Sequence, residues 1–255
     1  MVELKTPAQI EQMRVAGRVV GTALATVKKE AAVGVSLREL DEVARDVLRA
    51  AGAVSLFDGY QPGFAASPFS GVICTSVNDA VLHGLPSDLR LADGDLLNVD
   101  CGASVDGWCA DSAISFCVGT PRAEDLELIA TTEEALAAGI AAAVAGHRIG
   151  DIGAAIGRVG KDAGFGTNLD FGGHGVGRRM HEDPHIPNGG RPGRGLKLHA
   201  GHVFAIEPWF WAGPGSAYTI DDDGWTLRSS DGTRGAHAEH TVAITPEGPQ
   251  ILTLP

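Results

Sequence analysis

Cysteine pairs, long apolar runs and an excess of positive charge are all missing from this sequence. Its four cysteines form no CxxC motif and no spacing typical of a zinc ribbon or a disulfide framework. No apolar run is long enough to cross a bilayer, and the opening MVELKTPAQIEQMR lacks the apolar core of a signal peptide. The net charge of −12 argues against nucleic-acid binding and against attraction to anionic membranes. We therefore expect a cytoplasmic protein with neither a membrane nor a nucleic acid as its partner.

The composition is that of a globular chain with a sizeable core. Hydrophobic residues make up 44% and charged residues 20% of the 255 residues. Glycine is abundant, with 35 residues, but it is not periodic, which indicates loops and turns. Neither a low-complexity linker nor an internal repeat divides the chain. We therefore expect one domain over residues 1–255 with no N-terminal extension domain.

Four helices are predicted from start signals and apolar periodicity. Thr6-Pro7-Ala8-Gln9 and Ser36-Leu37-Arg38-Glu39 both have the form of a capping box, and apolar residues follow each at helical spacing. Pro121 predicts the start of a third helix with Leu126 on its apolar face, and Asp151 is the expected N-cap of a fourth. Helices therefore occur in both halves of the chain.

Strands are predicted at residues 72–77, 96–104, 108–118, 203–207 and 236–245, and residues 165–200 are expected to form loops rich in glycine and histidine. Residues 53–71 also have a loop composition. Because helices precede and follow strands in both halves, the expected fold class is α+β, built on a mainly antiparallel sheet.

The segment DCGASVDGWCAD, residues 100–111, predicts a β-hairpin with a charged pair. Asp106-Gly107 between two β-prone runs is a strong hairpin signal. In that register Asp100 lies opposite Ala113, and Asp111 is its diagonal neighbour on the same sheet face. Two carboxylates that close repel each other unless a proton or a cation lies between them. The ordinary alternative is that one of the two aspartates caps a turn and the other is exposed to solvent.

Three further side chains are candidate partners for this pair. Glu207 in FAIEP and Glu239 in AHAEHT adjoin apolar strands, and His174 lies in GGHGVG. A glutamate in such a place is seldom buried unless it is paired or coordinates a cation. Four carboxylates and one imidazole suit a pair of divalent cations about 3.5–4 Å apart. Each residue alone could also be a surface or strand-end group.

Three other catalytic motifs are excluded. His181-Glu182-Asp183-Pro184-His185 matches the letters of the HExxH zinc motif, but Pro184 would break the helix that this motif needs. GHGVG lacks the spacing of a dinucleotide-binding loop, and no serine lies in a GxSxG motif. His83 and His181 remain as candidates for a site role other than metal binding, because each lies next to a glycine or a glycine-rich segment.

Eight segments, taken in order, resemble type I methionine aminopeptidases of peptidase family M24. They are Leu82-His83-Gly84, Asn98-Val99-Asp100, Asp111, Gly173-His174-Gly175-Val176-Gly177, His181-Glu182, Ile206-Glu207-Pro208, Asp223-Gly224-Trp225 and Glu239-His240-Thr241. The opening TPAQIEQMRVAG is similar to that family's first helix. The 26 positions from His181 to Glu207 leave no room for the helical insertion of type II enzymes. The resemblance is to the short bacterial form.

This resemblance implies a pita-bread fold with pseudo-two-fold symmetry, in which helices cover the outer face of a curved sheet. It implies two divalent metal ions, Co²⁺, Mn²⁺, Fe²⁺ or Zn²⁺. Asp100 would chelate one ion, Asp111 and Glu239 would bridge both, and His174 and Glu207 would complete the second.

The implied activity is removal of N-terminal methionine when the second residue is small, through a metal-bridging hydroxide. Glu207 would transfer the proton, His181 would stabilise the tetrahedral oxygen and His83 would position the second residue. The substrate pocket would include Cys74, Phe69 and Trp225; Met180 stands where the family commonly has an aromatic residue.

The implied partners are methionyl peptides and nascent chains, with the ribosome as a candidate site of association, and the expected state is a monomer. Two alternatives stay open. One is an X-Pro dipeptidase, although such enzymes usually carry an extra N-terminal domain. The other is a non-catalytic binding protein of the same fold.

Overall fold

The computed structural model describes residues 2–63 and 65–255. In these residues the helices are α1 (Pro7–Glu30), α2 (Leu37–Ala50), α3 (Ala123–Ala142) and α4 (Ile149–Ala163). The strands are β1 (Val54–Ser55), β2 (Cys74–Val77), β3 (Ala80–Leu82), β4 (Asp95–Val105), β5 (Trp108–Val118), β6 (Gly173–Gly175), β7 (Glu182–Ile186), β8 (Val203–Ile206), β9 (Trp209–Trp211), β10 (Tyr218–Ile220), β11 (Leu227–Ser229), β12 (Gly235–His237), β13 (Glu239–Thr245) and β14 (Gly248–Ile251).

A nine-stranded sheet is the framework of the fold. Its main path runs β1-β4-β5-β13-β8-β6-β7, with β2 added to β4 and β14 added to β13. Every paired ladder described in this sheet is antiparallel. Two smaller sheets, β10-β11-β3 and β12-β9, complete the strand pairing. The expected α+β class with a mainly antiparallel sheet is confirmed.

Two helix pairs cover two parts of this sheet. Helices α1 and α2 bury an apolar face against β4 and β5, with Val20, Leu40 and Leu97 fully buried in that core. Helices α3 and α4 pack against the other part, where Ile156 and Phe204 are fully buried. Burial of this kind is the main favourable term in folding. No helix of the described residues is long and apolar enough to cross a membrane.

The hairpin of β4 and β5 has the predicted register. Val105 pairs with Trp108, and Asp100 pairs with Ala113. The two loop residues Asp106 and Gly107 have φ values of 51° and 73°, as a type I′ turn requires. The turn therefore places Asp100 and Asp111 on one face of the sheet, because Asp111 precedes Ala113 by two residues.

Two helix predictions need correction. Leu126 is 50% exposed, and α3 instead buries Leu128, Ala135 and Gly139. Small residues let the helix approach its neighbours closely, which a search for large apolar side chains misses. Asp151 is not the N-cap: α4 begins at Ile149, and the Asp151 side chain accepts a hydrogen bond from the backbone N–H of Arg148 at 2.7 Å.

The strand predictions differ from the structure in several places, and the short strands β1, β3, β9, β10, β11 and β14 were not predicted. The strand expected from residue 72 begins at Cys74, and the strand expected over 236–245 is two strands separated by Ala238. The region 165–200, expected to be loop, contains β6 and β7. Glycine has a low strand propensity, yet a Cβ at Gly173 would lie 2.2 Å from the Ala205 carbonyl oxygen, so only glycine fits there. In the predicted loop 53–71, residue 64 lies outside the described residues.

Candidate metal centre and active site

Five strands that are consecutive in the sheet each bring one acidic or imidazole side chain to one cavity. The strands are β4, β5, β13, β8 and β6. In that order the side chains are Asp100, Asp111, Glu239, Glu207 and His174, with Glu207 directly after the end of β8. The five side chains predicted as metal ligands are therefore brought together by strand pairing.

The register of the sheet explains why three of these carboxylates meet. Ala113 on β5 pairs with Asp100 on one side and with Glu239 on the other. Asp111 precedes Ala113 by two residues and so projects from the same face. Asp111 is 4% exposed and Glu239 is 2% exposed. The three carboxylates thus converge on one face of the sheet, where Asp111 and Glu239 are almost fully buried.

His174 completes this group from β6. Its Nδ1 lies 2.9 Å from the carbonyl oxygen of Gly175, which can only accept, so Nδ1 carries the proton and Nε2 is left as a lone-pair donor. Nε2 lies 3.6 Å from Oε1 of Glu207. Asp111, His174 and Glu239 each present a ligand atom, and these atoms lie within 4.8 Å of one another. This spacing suits coordination of one cation by several donors.

The four carboxylates of the cluster repel one another when ionised, and only bound protons or cations can relieve this repulsion. Burial, then repulsion by Asp111, raises the pKa of Glu207 to about 8. Burial raises the pKa of Asp111 to about 7. Burial and the neighbouring carboxylates raise the pKa values of Asp100 and Glu239 well above their usual range. Burial and repulsion by His181 lower the pKa of His174 to about 3, so its imidazole is neutral.

The donor set fits divalent cations. Oδ1 of Asp100 and Oε1 of Glu239 are buried and have no hydrogen-bond partner among the described residues. An unpaired buried carboxylate oxygen is costly, and no lysine or arginine is among the described residues that line the cavity. Carboxylates with one imidazole suit Mn²⁺, Fe²⁺, Co²⁺ or Zn²⁺.

The cavity that contains this cluster has a volume of about 390 Å³. Beside the charged group it has an apolar pocket, built from the buried cluster Phe57, Ala65, Phe69, Cys74, Met180 and Trp225. The rings of Phe69 and Trp225 meet edge to face at 5.1 Å between centroids. Cys74 pairs with Asp100 across β2 and β4, so the pocket adjoins the cluster directly. The predicted pocket residues Cys74, Phe69 and Trp225 lie together.

Two histidines expected to contact substrate also line this cavity. His83 follows β3 with a φ of 58°, and its Nδ1 is buried without a partner among the described residues. Burial and repulsion by His181 lower its pKa to about 4. His181 packs against His174 at 4.4 Å between ring centroids, and burial lowers its pKa. Both are therefore neutral imidazoles beside the cluster near pH 7.

The family model of metallopeptidase family M24 matches residues 11–246 of the chain. The chain belongs to metallopeptidase family M24. This M24 peptidase is 46% identical to methionine aminopeptidase 1 of Mycobacterium tuberculosis, over 100% of the chain and 96% of that relative. It is therefore a hydrolase of the aminopeptidase type, and the expected class is confirmed.

Solved structures confirm the pita-bread fold of this M24 peptidase. The methionine aminopeptidase of Thermotoga maritima superposes with a TM-score of 0.95 at 37% identity, covering 100% of both chains. A prolidase from Pyrococcus furiosus superposes with a TM-score of 0.76 at 24% identity, covering 99% of this chain and 65% of that one. The second likeness shows the fold alone, which is shared by enzymes whose names state different substrates.

Sequence reasoning missed several residues of this M24 peptidase's cavity. Tyr60 and Phe57 lie on the pocket wall, and Phe171 and His185 line the cavity near His83 and His174. Phe57 and Tyr60 were missed because their segment was placed in a loop and left without a role; their aromatic rings were the available signal for the pocket wall. Phe171 carried no signal in the sequence; its ring contacts that of His83 at 5.3 Å.

The raised carboxyl pKa values predict how metals stabilise this M24 peptidase. A carboxyl whose folded pKa is raised stabilises the fold below its unfolded pKa, and that contribution is lost as pH rises through the folded value. With Asp111 near 7 and Glu207 near 8, the metal-free protein should lose stability between pH 6.5 and 8.5. Buried neutral histidines affect the pH dependence of stability only below about pH 6.5. They therefore do not obscure the change expected between pH 6.5 and 8.5.

The measurement is thermal unfolding of the metal-free protein, with and without Mn²⁺, at pH 6.5 and pH 8.5. Mn²⁺ should raise Tm at both pH values and by more at pH 8.5, because there it compensates more ionised carboxylates. An increment in Tm that is equal at the two pH values, or smaller at pH 8.5, would contradict the assignment of these carboxylates to a metal centre.

Proposed function

We propose that this M24 peptidase removes the N-terminal methionine of peptides and nascent chains when the second residue is small. The observation that carries the proposal is one cavity in which a carboxylate–imidazole cluster adjoins an apolar pocket of aromatic rings, Met180 and Cys74. An unbranched thioether side chain suits such a pocket. The names of the relatives support the choice of methionine, and the requirement for a small second residue is carried over from the family.

Asp100, Asp111, His174, Glu207 and Glu239 would hold two divalent cations. Bound cations would supply Lewis-acid activation of a water molecule and of the scissile carbonyl. Support for two ions is the number of donors and their excess negative charge: four carboxylates and one neutral imidazole exceed what one divalent ion balances. Co²⁺, Mn²⁺, Fe²⁺ and Zn²⁺ all suit these ligands.

Three side chains of the cavity would handle protons and orient the substrate. Glu207 would accept a proton from the attacking water and pass it to the leaving amine; its carboxylate lies at the end of β8, facing His174 and His237 at 3.6 and 3.8 Å. His181 would donate a hydrogen bond to the oxygen that becomes negative in the transition state. His83 would orient the amide of the second residue.

The proposal also includes a single catalytic domain over residues 1–255, a monomeric state, a cytoplasmic location and action on chains at the ribosome. These follow from the family resemblance.

A peptide panel tests the proposal against the X-Pro alternative. With Mn²⁺ or Co²⁺ present, the protein should cleave Met-Ala-Ser. Its kcat/KM values for Ala-Pro, Leu-Ala-Ser and Met-Lys-Ser should each be at least about a hundredfold lower than for Met-Ala-Ser. A chelator should abolish cleavage and added metal should restore it. Cleavage of Ala-Pro in preference to Met-Ala-Ser would assign the dipeptidase activity instead. No cleavage of any peptide, with no metal bound, would favour a binding protein.

A further inference from the structure

The side chain of His181 has a hydrogen-bond partner that the proposed mechanism does not use. The hydroxyl oxygen of Tyr60 lies 3.1 Å from Nδ1 of His181. The two rings also pack against each other, with 5.6 Å between centroids. Both residues line the same cavity, so this contact lies at the site of the reaction.

The contact bears on which ring nitrogen of His181 carries the proton. A neutral imidazole has one N–H, and the second nitrogen is an acceptor. A tyrosine hydroxyl can donate to Nδ1, which leaves the proton on Nε2. The reverse arrangement, with Nδ1–H donating to the tyrosine oxygen, would leave Nε2 as an acceptor. Only the first arrangement lets Nε2 donate a hydrogen bond to an oxygen of the substrate.

Backbone hydrogen bonds and ring packing fix the position of Tyr60 beside His181. Its backbone N–H donates to the carbonyl oxygen of Phe57 at 2.8 Å, and its carbonyl oxygen accepts from the N–H of Phe69 at 2.8 Å. Its ring packs against Trp225 at 6.5 Å between centroids. Tyr60 therefore forms part of the apolar pocket wall and also contacts His181. It links the pocket for the substrate side chain to the histidine proposed to donate a hydrogen bond to the substrate.

We propose that Tyr60 is a positioning residue: its hydroxyl donates to Nδ1 of His181 and holds that imidazole in the tautomer with the proton on Nε2. This inference rests on the proposed role of His181 as a donor to the substrate. The hydroxyl of Tyr60 does not touch the reacting atoms, and its effect on the reaction passes through His181.

Tyr60→Phe removes the hydroxyl and keeps the ring packing against Trp225 and His181. For Met-Ala-Ser we expect kcat to fall about tenfold, as for the loss of one hydrogen bond that orients a donor, with KM changed less than about twofold because the apolar pocket is retained. The matched control is Tyr218→Phe. Tyr218 is the only other tyrosine of the chain, and its hydroxyl donates to Asp170 at 3.3 Å. It should keep the kcat of the unaltered protein.

Nitrogen-15 NMR of the histidine rings in the Zn²⁺-loaded protein measures the tautomer of His181 directly and does not depend on an activity assay. His181→Gln identifies the His181 signals among the nine histidines. We expect the pattern of a protonated Nε2 and an unprotonated Nδ1 in the unaltered protein, and a mixture of tautomers in Tyr60→Phe. A protonated Nδ1 in the unaltered protein, or an unchanged pattern together with unchanged kcat in Tyr60→Phe, would overturn the proposal.

The NMR result separates this inference from the proposed function. If the unaltered protein fails to cleave methionyl peptides, the proposed function is wrong, and the ring pattern of His181 still decides whether Tyr60 holds the tautomer. If cleavage occurs and the pattern is that of a protonated Nδ1, the proposed function stands and the role of Tyr60 is wrong.

Discussion

Glu207→Gln is expected to lower kcat for Met-Ala-Ser by about a thousandfold, because it removes the side chain proposed both to transfer the proton and to bind a metal ion. The fold should survive the change. Burial and repulsion by Asp111 raise the pKa of Glu207 to about 8 in the metal-free protein, so near neutral pH this side chain is mostly protonated and glutamine resembles it in shape and charge. Steady-state kinetics with saturating Mn²⁺, together with thermal unfolding after chelation, measures both effects.

A glutamate on the surface provides the control for Glu207→Gln. Glu133 lies on the exposed side of α3, and Glu133→Gln should change neither kcat nor Tm measurably. If Glu207→Gln kept more than about a tenth of the kcat, Glu207 could not be the proton-transfer group. If it lost activity and also unfolded, the loss would report on folding, and the assignment would not be supported.

Asp111→Asn is expected to change activity and metal-free stability in opposite directions. Asparagine removes a charge from the centre of the cluster, where Asp111 lies between the strands that carry Asp100 and Glu239. Metal binding and turnover should fall by at least about a thousandfold, since a proposed ligand at the centre of the cluster is lost. The metal-free protein should gain stability at pH 8.5, because a buried charge that repels its neighbours is removed.

Thermal unfolding at pH 8.5 with chelator and then with Mn²⁺ tests both halves of this prediction. The altered protein should have the higher Tm in chelator and a much smaller rise with Mn²⁺. Asp162→Asn is the matched control, because Asp162 is exposed on α4 and lies outside the cavity. A metal-free Tm below that of the unaltered protein would show that Asp111 stabilises the fold without a cation, contrary to the interpretation of the cluster.

The parts of this site that could be predicted from the sequence are those decided locally. The Asp106-Gly107 turn and the two-residue periodicity of strands were enough to place Asp100 and Asp111 on one face. The capping boxes at Thr6 and Ser36 form as expected, because such hydrogen bonds join residues only three positions apart. The glutamates were identified because an acidic side chain beside an apolar strand needs a partner.

What could not be predicted depends on contacts between distant segments. The order β4-β5-β13-β8-β6, which aligns the five proposed ligands, follows from pairings between distant segments that no local signal specifies. Strand β6 was missed because Gly173 and Gly175 have little strand propensity, and only the close approach of Ala205 and Asp183 explains them. Tyr60 was missed because its contact with His181 joins residues 121 positions apart.

The position of β13 in the sheet also determines when this chain can fold during its own synthesis. Strands β4 and β5 reach β8, β6 and β7 through β13, although β13 follows all of them in the chain. Until residues 239–245 have left the ribosome, the two parts of the sheet have no strand to join them, and Glu239 is absent from the cluster. A nascent chain of this protein therefore exposes an unpaired edge on β5 from the completion of that strand until β13 is made, and an unpaired edge on β8 for the shorter stretch of synthesis between β8 and β13. The proposed metal centre is one of the last features to form, although Asp100 and Asp111 are made before the midpoint of the chain.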